Sequence, residues 1–209
     1  MEDLERRLAD YYDREGESRL QERLDSRRIA ARTRFVELLR DESRHDLLEV
    51  GSGPGRDAIA FADAGIDVLA VDRSGGHARL AAAQGIRAVQ ASVLHLPVRA
   101  ASFAAGWTMS TLVHIPDDRF DEAMGAITSS LRPGAPLAVG LWGGFDHEGW
   151  WPARDDLPSR FFSHRSHQRA REMLARHGAV DHFTTWADDR SDWQYQFAIL
   201  RSGAGRASG

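Results

Sequence analysis

One turn constrains this chain more than any other segment. Leu47-Leu48-Glu49-Val50 is a short apolar run of strand character, and it leads straight into Gly51-Ser52-Gly53-Pro54-Gly55. Glycines placed after a strand and before a helical run form a bend that lets another molecule approach the backbone closely. The next strand, Asp67 to Val71, ends at Asp72, 21 residues beyond Gly51. An acid about 20 residues past such glycines can accept hydrogen bonds from both hydroxyls of a ribose. Together the two features describe a nucleoside site. Alone, the glycines read as a plain strand-to-helix turn and Asp72 as a turn or capping residue.

The texture around this turn is a strand–helix alternation. Ala58 to Ala64 has helical spacing, and Ser74 is placed to cap a helix through Gln84. Strands follow at Ala88 to Ala91 and Phe103 to Met109. Asp117 and Asp118 open a helix to Leu131, where Pro133-Gly134 stops it before a fifth strand, Pro136 to Trp142. Such alternation predicts an α/β domain, Rossmann-like, with a mostly parallel sheet and helices on both faces. Gly143 to Arg165 reads as a long aromatic loop, Ser166 to His177 as a helix, and Val180 to Trp186 with Trp193 to Leu200 as two closing strands at the sheet edge. That makes seven strands. Before the domain, Leu4, Leu8, Tyr11 and Tyr12, then Ile29, Phe35, Val36 and Leu39, recur at helical spacing, with Gly16 as the expected break. The expected organisation is a helical lid over 1–45, a binding domain over 46–201 and a disordered tail over 202–209.

Composition removes several chemistries. The 209 residues include no cysteine, and all 27 basic residues are arginine. Disulfides, thiolate metal sites, cysteine nucleophiles, Schiff bases and phosphate-loop lysines are therefore excluded. A net charge of −4 argues against general affinity for nucleic acid. No apolar run is long enough for a membrane span, and the charged stretch Met1 to Arg40 has no secretory pattern. The expected location is the cytoplasm and the expected partner a small molecule. The oligomeric state stays open.

A dinucleotide fingerprint, G-x-G-x-x-G, would put its third glycine at position 56, which is Arg56. That speaks against NAD. The segment Leu47 to Gly55 instead resembles motif I of the class I S-adenosylmethionine-dependent methyltransferases, E/D-x-G-x-G-x-G. Asp72, the segment Gln90 to Pro97, the stretch Phe103 to His114 and Leu131-Arg132-Pro133-Gly134-Ala135-Pro136-Leu137 resemble later motifs of that family in the same order. The resemblance implies S-adenosylmethionine as cofactor, S-adenosylhomocysteine as product, and an antiparallel last strand. It implies that Gly51 and Gly53 pack on the cofactor, that Asp72 takes the ribose and that Arg73 and Val93 flank the adenine. Ser92 stands where the family usually has an aspartate facing the adenine amino group. Tyr11-Tyr12-Asp13 and Arg32-Thr33 resemble lid residues of small bacterial members. Arg32 is a candidate for the methionyl carboxylate, or else a solvated helix arginine. Tyr12, Arg32, Glu49, Gly51, Ser52, Gly53, Asp72, Arg73, Ser92, Val93, Thr108 and Met109 form the expected cofactor set.

Methyl transfer asks the protein mainly for alignment and a dry cavity, with a general base where the acceptor must lose a proton. His114, just after the fourth strand, is the candidate base; the alternative is a histidine that only lines the pocket. Trp142, Trp150, Phe161 and His164 are the candidate acceptor-binding residues, against the alternative that these rings close the core. His164 and His167, with Asp155 or Asp156 as added ligands, give a weak metal-site signal against a solvated helix start or a substrate-facing role, and no metal is expected. The expected function is methylation of an O or N atom of a small molecule of specialised metabolism. The rival readings are an NAD(P)-dependent oxidoreductase and a non-catalytic module that senses S-adenosylmethionine.

Overall fold

A computed structural model describes residues 2–22, 24–153, 157–188 and 193–203. Two helices, α1 (Glu2–Gln21) and α2 (Ser26–Asp41), precede the alternation β1 (Asp46–Val50), α3 (Arg56–Asp63), β2 (Asp67–Asp72), α4 (Gly75–Ala83) and β3 (Arg87–Gln90). Then come β4 (Ala105–Met109), a 3-10 turn (Leu112–His114), α5 (Asp117–Ser130) and β5 (Pro136–Gly143). A hairpin of β6 (His147–Trp151) and β7 (Arg160–His164) leads to α6 (His167–Ala175), β8 (Gly178–Ala187) and β9 (Gln194–Ser202).

The main sheet has seven strands in the order β3-β2-β1-β4-β5-β9-β8. β1 to β5 run parallel, and β9 is antiparallel to both β5 and β8. The chain winds outward in one direction from β1 and in the other from β4. A sheet of this kind opens a crevice at that switch, beyond the C-terminal strand ends. On one face α5 and α6 bury Phe120, Met124, Ile127, Met173 and Leu174. On the other, α2 and α3 bury Phe35, Leu39 and Phe61 around Trp107 of β4. The strands between are apolar on both sides, as a sheet covered twice requires.

Four expectations change. The stretch from Gly143 to Arg165 is a hairpin, with β6 and β7 forming a second, two-stranded sheet. Its aromatic residues sit on both faces, which hides the period-two pattern of a strand. Gly16 kinks α1 at φ +40 without ending it. The helices separate instead before Asp25, whose carboxylate accepts from the amides of Arg27 and Arg28 and so caps α2. The fourth strand begins at Ala105, because Phe103 makes only an isolated bridge to Leu131. At the other end, Ser202 closes β9 and is buried, donating to the Arg132 carbonyl at 2.7 Å. Residues 204–209 lie outside those described.

α1 crosses the C-terminal edge of the sheet as a cover. Leu4 and Leu8 pack on Phe161 of β7, and Arg7 stacks on Trp150 with its guanidinium carbon 3.6 Å from the ring centre. Asp13 fastens the other side by accepting from the Gly76 amide at the start of α4 and from Ser74.

Candidate active site

Parallel register aligns the ends of β1 and β2, Val50 opposite Val71, so the glycine bend and Asp72 meet. The Gly51 amide donates to the Val71 carbonyl at 2.7 Å. Asp72 accepts from the Gly53 amide at 2.7 Å and the Ser74 amide at 2.8 Å. Gly51 has φ +73, and a Cβ there would lie 1.7 Å from Thr111 Oγ1, so only glycine fits. Gly53 has φ +56, yet a Cβ there would meet nothing nearer than His77 Nδ1 at 4.0 Å. Gly53 therefore presents bare backbone to open space. Burial raises the Asp72 carboxyl to about 6, despite the two amides that favour its charge.

That space is a crevice of about 970 Å³. Gly51, Ser52, Gly53, Asp72, Arg73, Val93, Met109 and His114 line it, and α1 contributes Glu5, Leu8 and Tyr12 as its roof. His114 is buried, and its Nδ1 lies 2.7 Å from the Phe161 carbonyl. A carbonyl only accepts, so Nδ1 carries the proton and Nε2 accepts from the Tyr12 hydroxyl, also at 2.7 Å. Burial pushes the imidazole down to about 3. Its neighbours thus include the lid, the post-β4 turn and the hairpin at once.

Beside the glycine bend lies an arginine cluster built on Asp57. This carboxylate, in the first turn of α3, is buried and accepts from Arg28 at 2.6 Å, Arg32 at 2.7 Å and Trp107 Nε1 at 3.1 Å. Burial would raise its pKa, but the guanidinium charges and these hydrogen bonds hold it low. Glu49 is buried beneath, with Oε2 unpartnered among the described residues; burial and the Asp57 charge raise its pKa well above the usual value. Arg32 is thus occupied by Asp57 and lies outside the crevice lining, whereas Arg19, Arg28 and Arg56 line it. The i, i+4 spacing of Arg28 and Arg32 was the signal available in the sequence for a shared partner.

Residues 47–134 match the model of a family described as a methyltransferase domain. The fold is that of the class I S-adenosylmethionine-dependent methyltransferases. Similar solved structures include a SAM-dependent methyltransferase from Methanosarcina mazei, 17% identical with TM-score 0.70, covering 78% of this chain and 94% of that one. The complex of DhpI with SAH is 20% identical with TM-score 0.70 and coverages of 97% and 98%. The 1,6-didemethyltoxoflavin-N1-methyltransferase of Burkholderia thailandensis, solved with 1,6-didemethyltoxoflavin and S-adenosylhomocysteine, is 21% identical with TM-score 0.65 and coverages of 87% and 92%. A comparison with curated proteins finds no match.

In this methyltransferase fold the remaining expected residues scatter. Thr108 is buried in β4 and, like Glu49, outside the crevice lining. Ser92 also stays out of the lining: its hydroxyl donates to Glu5, and Glu5 sits in the crevice 3.6 Å from Arg73. Among the acceptor candidates, Trp142 lines a separate cavity beside the crevice. Trp150, Phe161 and His164 belong to the hairpin, where Phe161 and His164 are buried. His164 stacks on Phe145 and Phe162 with neither ring nitrogen hydrogen-bonded among the described residues, and burial lowers it to about 4. Among the described residues no cluster of three or more metal-binding side chains occurs, and Asp155 and Asp156 lie outside them.

Arg165 gave no sequence signal. It is fully buried, donates to the carbonyls of Leu112, Ser163 and Ile115, and pairs with Asp117 at 2.8 Å. Leu112 and Ile115 bound the 3-10 turn that carries His114, Ser163 lies in β7 and Asp117 opens α5, so Arg165 fixes the turn against both.

Proposed function

We propose that the chain binds S-adenosylmethionine in the crevice and methylates an O or N atom of a small molecule. One observation carries the reading: a bare, left-handed Gly53 backbone and the Asp72 carboxylate share one open crevice roofed by α1. The residues fit the cofactor. Asp72 is placed for the ribose hydroxyls, Gly51 and Gly53 for close backbone approach, and Val93 and Arg73 for the faces of an adenine. The cationic cluster beside the bend suits the methionyl carboxylate, with Arg28 or Arg19 in the role expected of Arg32.

Ser92 lies outside the crevice lining with its hydroxyl on Glu5, and Glu5 brings a carboxylate there from the lid. Adenine recognition and closure of the lid are then one event. S-adenosylmethionine held there by Asp72, Gly51, Gly53 and the arginine cluster would supply an activated methyl group for the acceptor, leaving as S-adenosylhomocysteine. His114 is a poor proton store, because an imidazolium in that buried place is costly. Its role is to hold Tyr12, and through Tyr12 the lid, in place. Alignment and exclusion of water carry the rate.

Calorimetry with S-adenosylmethionine, S-adenosylhomocysteine and NAD(P) tests the reading. Saturable binding of the first two and none of NAD(P) is expected; NAD(P) binding alone overturns it. The oxidoreductase alternative meets Arg56 where close packing on a pyrophosphate would be needed. A sensor would need no second cavity beside the crevice, and this protein has one.

A further inference from the structure

Four residues, Arg19, Arg28, Arg56 and Ser110, line both the crevice and a second cavity of about 1150 Å³. The second cavity lies over the ends of β5, β8 and β9. Its apolar wall is aromatic: Trp186 stacks on Tyr195 with ring centres 5.0 Å apart, and Trp142 meets Tyr195 edge-on at 4.8 Å. Flat stacked rings offer a slot for another flat ring.

The side shared with the crevice is cationic and incompletely neutralised. Asp57 is one carboxylate serving two guanidinium groups, Arg28 and Arg32. Arg28 Nε is buried without a hydrogen-bond partner among the described residues. Arg19 pairs with Glu15 at 3.2 Å and reaches Glu22 only at 3.9 Å. Arg56 donates to the Glu22 carbonyl at 2.6 Å and makes no ion pair with a carboxylate among the described residues. Glu22, Asp25 and Asp188 also line the cavity; Asp25 is spent on Arg27 and on capping α2. Of the three shared arginines only Arg56 has no carboxylate partner among the described residues, so it is the guanidinium open to an added anion.

Ser110 marks the junction. It is a non-glycine residue at φ +59, a conformation held against its own preference, and its hydroxyl lies 3.3 Å from that of Tyr195. Burial raises the Tyr195 phenol, so it keeps its proton and remains a donor. A hydroxyl pair therefore stands where the two cavities join.

We propose that the second cavity receives the methyl acceptor, and that this acceptor is a planar aromatic acid. Its ring lies against Trp186 and Trp142, and its acid group faces Arg56 and Arg19. The inference rests on the methyltransferase reading of the crevice and adds the acceptor class to it.

The test uses the full chain saturated with S-adenosylhomocysteine. Hydroxy- and amino-substituted aromatic acids of one and two rings are titrated against their primary amides, with quenching of tryptophan fluorescence as the readout. At least one acid is expected to bind ten times more tightly than its amide. Arg56→Gln is expected to remove that preference. Trp186→Ala is expected to weaken the acid tenfold or more while changing S-adenosylhomocysteine affinity less than twofold, with Trp186→Phe recovering most of the loss. Binding of S-adenosylhomocysteine with no preference for any acid overturns this inference alone. Failure of S-adenosylhomocysteine to bind overturns the methyltransferase reading, and this inference falls with it.

Discussion

The two adjoining cavities are made in different ways. The crevice centres on one short stretch of chain: Gly51, Gly53 and Asp72 lie within 51–72, and parallel pairing of β1 with β2 brings them together. The second cavity is made of side chains from α1, α2, the start of α3, the turn after β4, and β5, β8 and β9, drawn from the whole length of the chain. Backbone can recognise a shape common to every turnover, and it tolerates no Cβ. Side chains on strand ends can be exchanged one at a time, so the same sheet can serve different acceptors. The comparison teaches that cofactor binding here should be brittle and acceptor binding tunable.

The largest break is expected at Gly51. Gly51→Ala puts a methyl group into Thr111 in a left-handed backbone, and should cost about 3 kcal/mol in chemical denaturation and abolish cofactor binding. A stable variant that still binds would show the bend to be tolerant. Next, Asp72→Ala should lose at least tenfold in S-adenosylhomocysteine affinity, roughly 1–3 kcal/mol by calorimetry. Because burial raises this carboxyl to about 6, the folded ligand-free protein holds its proton up to about pH 6, where the unfolded chain has already lost it. The associated stability is full below about pH 4 and is lost as pH rises through 6, on the order of 2–3 kcal/mol. Asp72→Asn should therefore melt higher than the parent at pH 8, match it near pH 4, and bind the cofactor more weakly at pH 8. In the parent, cofactor affinity should weaken below pH 6.

A smaller effect sharpens the boundary between backbone and lid. Glu5→Ala should cost about tenfold in cofactor affinity, and adding Ser92→Asp should restore most of it, since the carboxylate returns from the sheet side. Loss without rescue would assign Glu5 to folding of α1 only. Smallest of all, His114→Asn should lower kcat less than tenfold and leave the rate flat in His114-dependent terms from pH 6 to 9, because the parent imidazole is already neutral there. A rate limb near pH 7 that vanishes in the variant would restore His114 as a general base.

How much was legible follows the same division. Motif residues such as Gly51, Gly53 and Asp72 announce themselves, because the backbone demand at each position admits few residue types. The pairing of Arg32 with Asp57 was not legible, because spacing shows that two arginines share a helix face but not which carboxylate waits opposite. The hairpin at β6 and β7 was hidden because it buries aromatic residues on both sides, and alternation is then absent. Arg165 was invisible: nothing local distinguishes a buried arginine that ties carbonyls at Leu112, Ser163 and Ile115 from one in solvent.

The amino-acid order alone determined the strand–helix alternation, the glycine bend and the acid that faces it, since these depend on local dihedral preference and on short-range periodicity. Only the folded sheet decided that Arg19, Arg28 and Arg56 would crowd one boundary, that Glu5 would meet Ser92, and that Trp186 and Tyr195 would form a wall beside Ser110. Those meetings join residues up to 176 positions apart (Arg19 to Tyr195), and pairings at that distance are selected by packing of the whole domain, not by any preference a residue carries by itself.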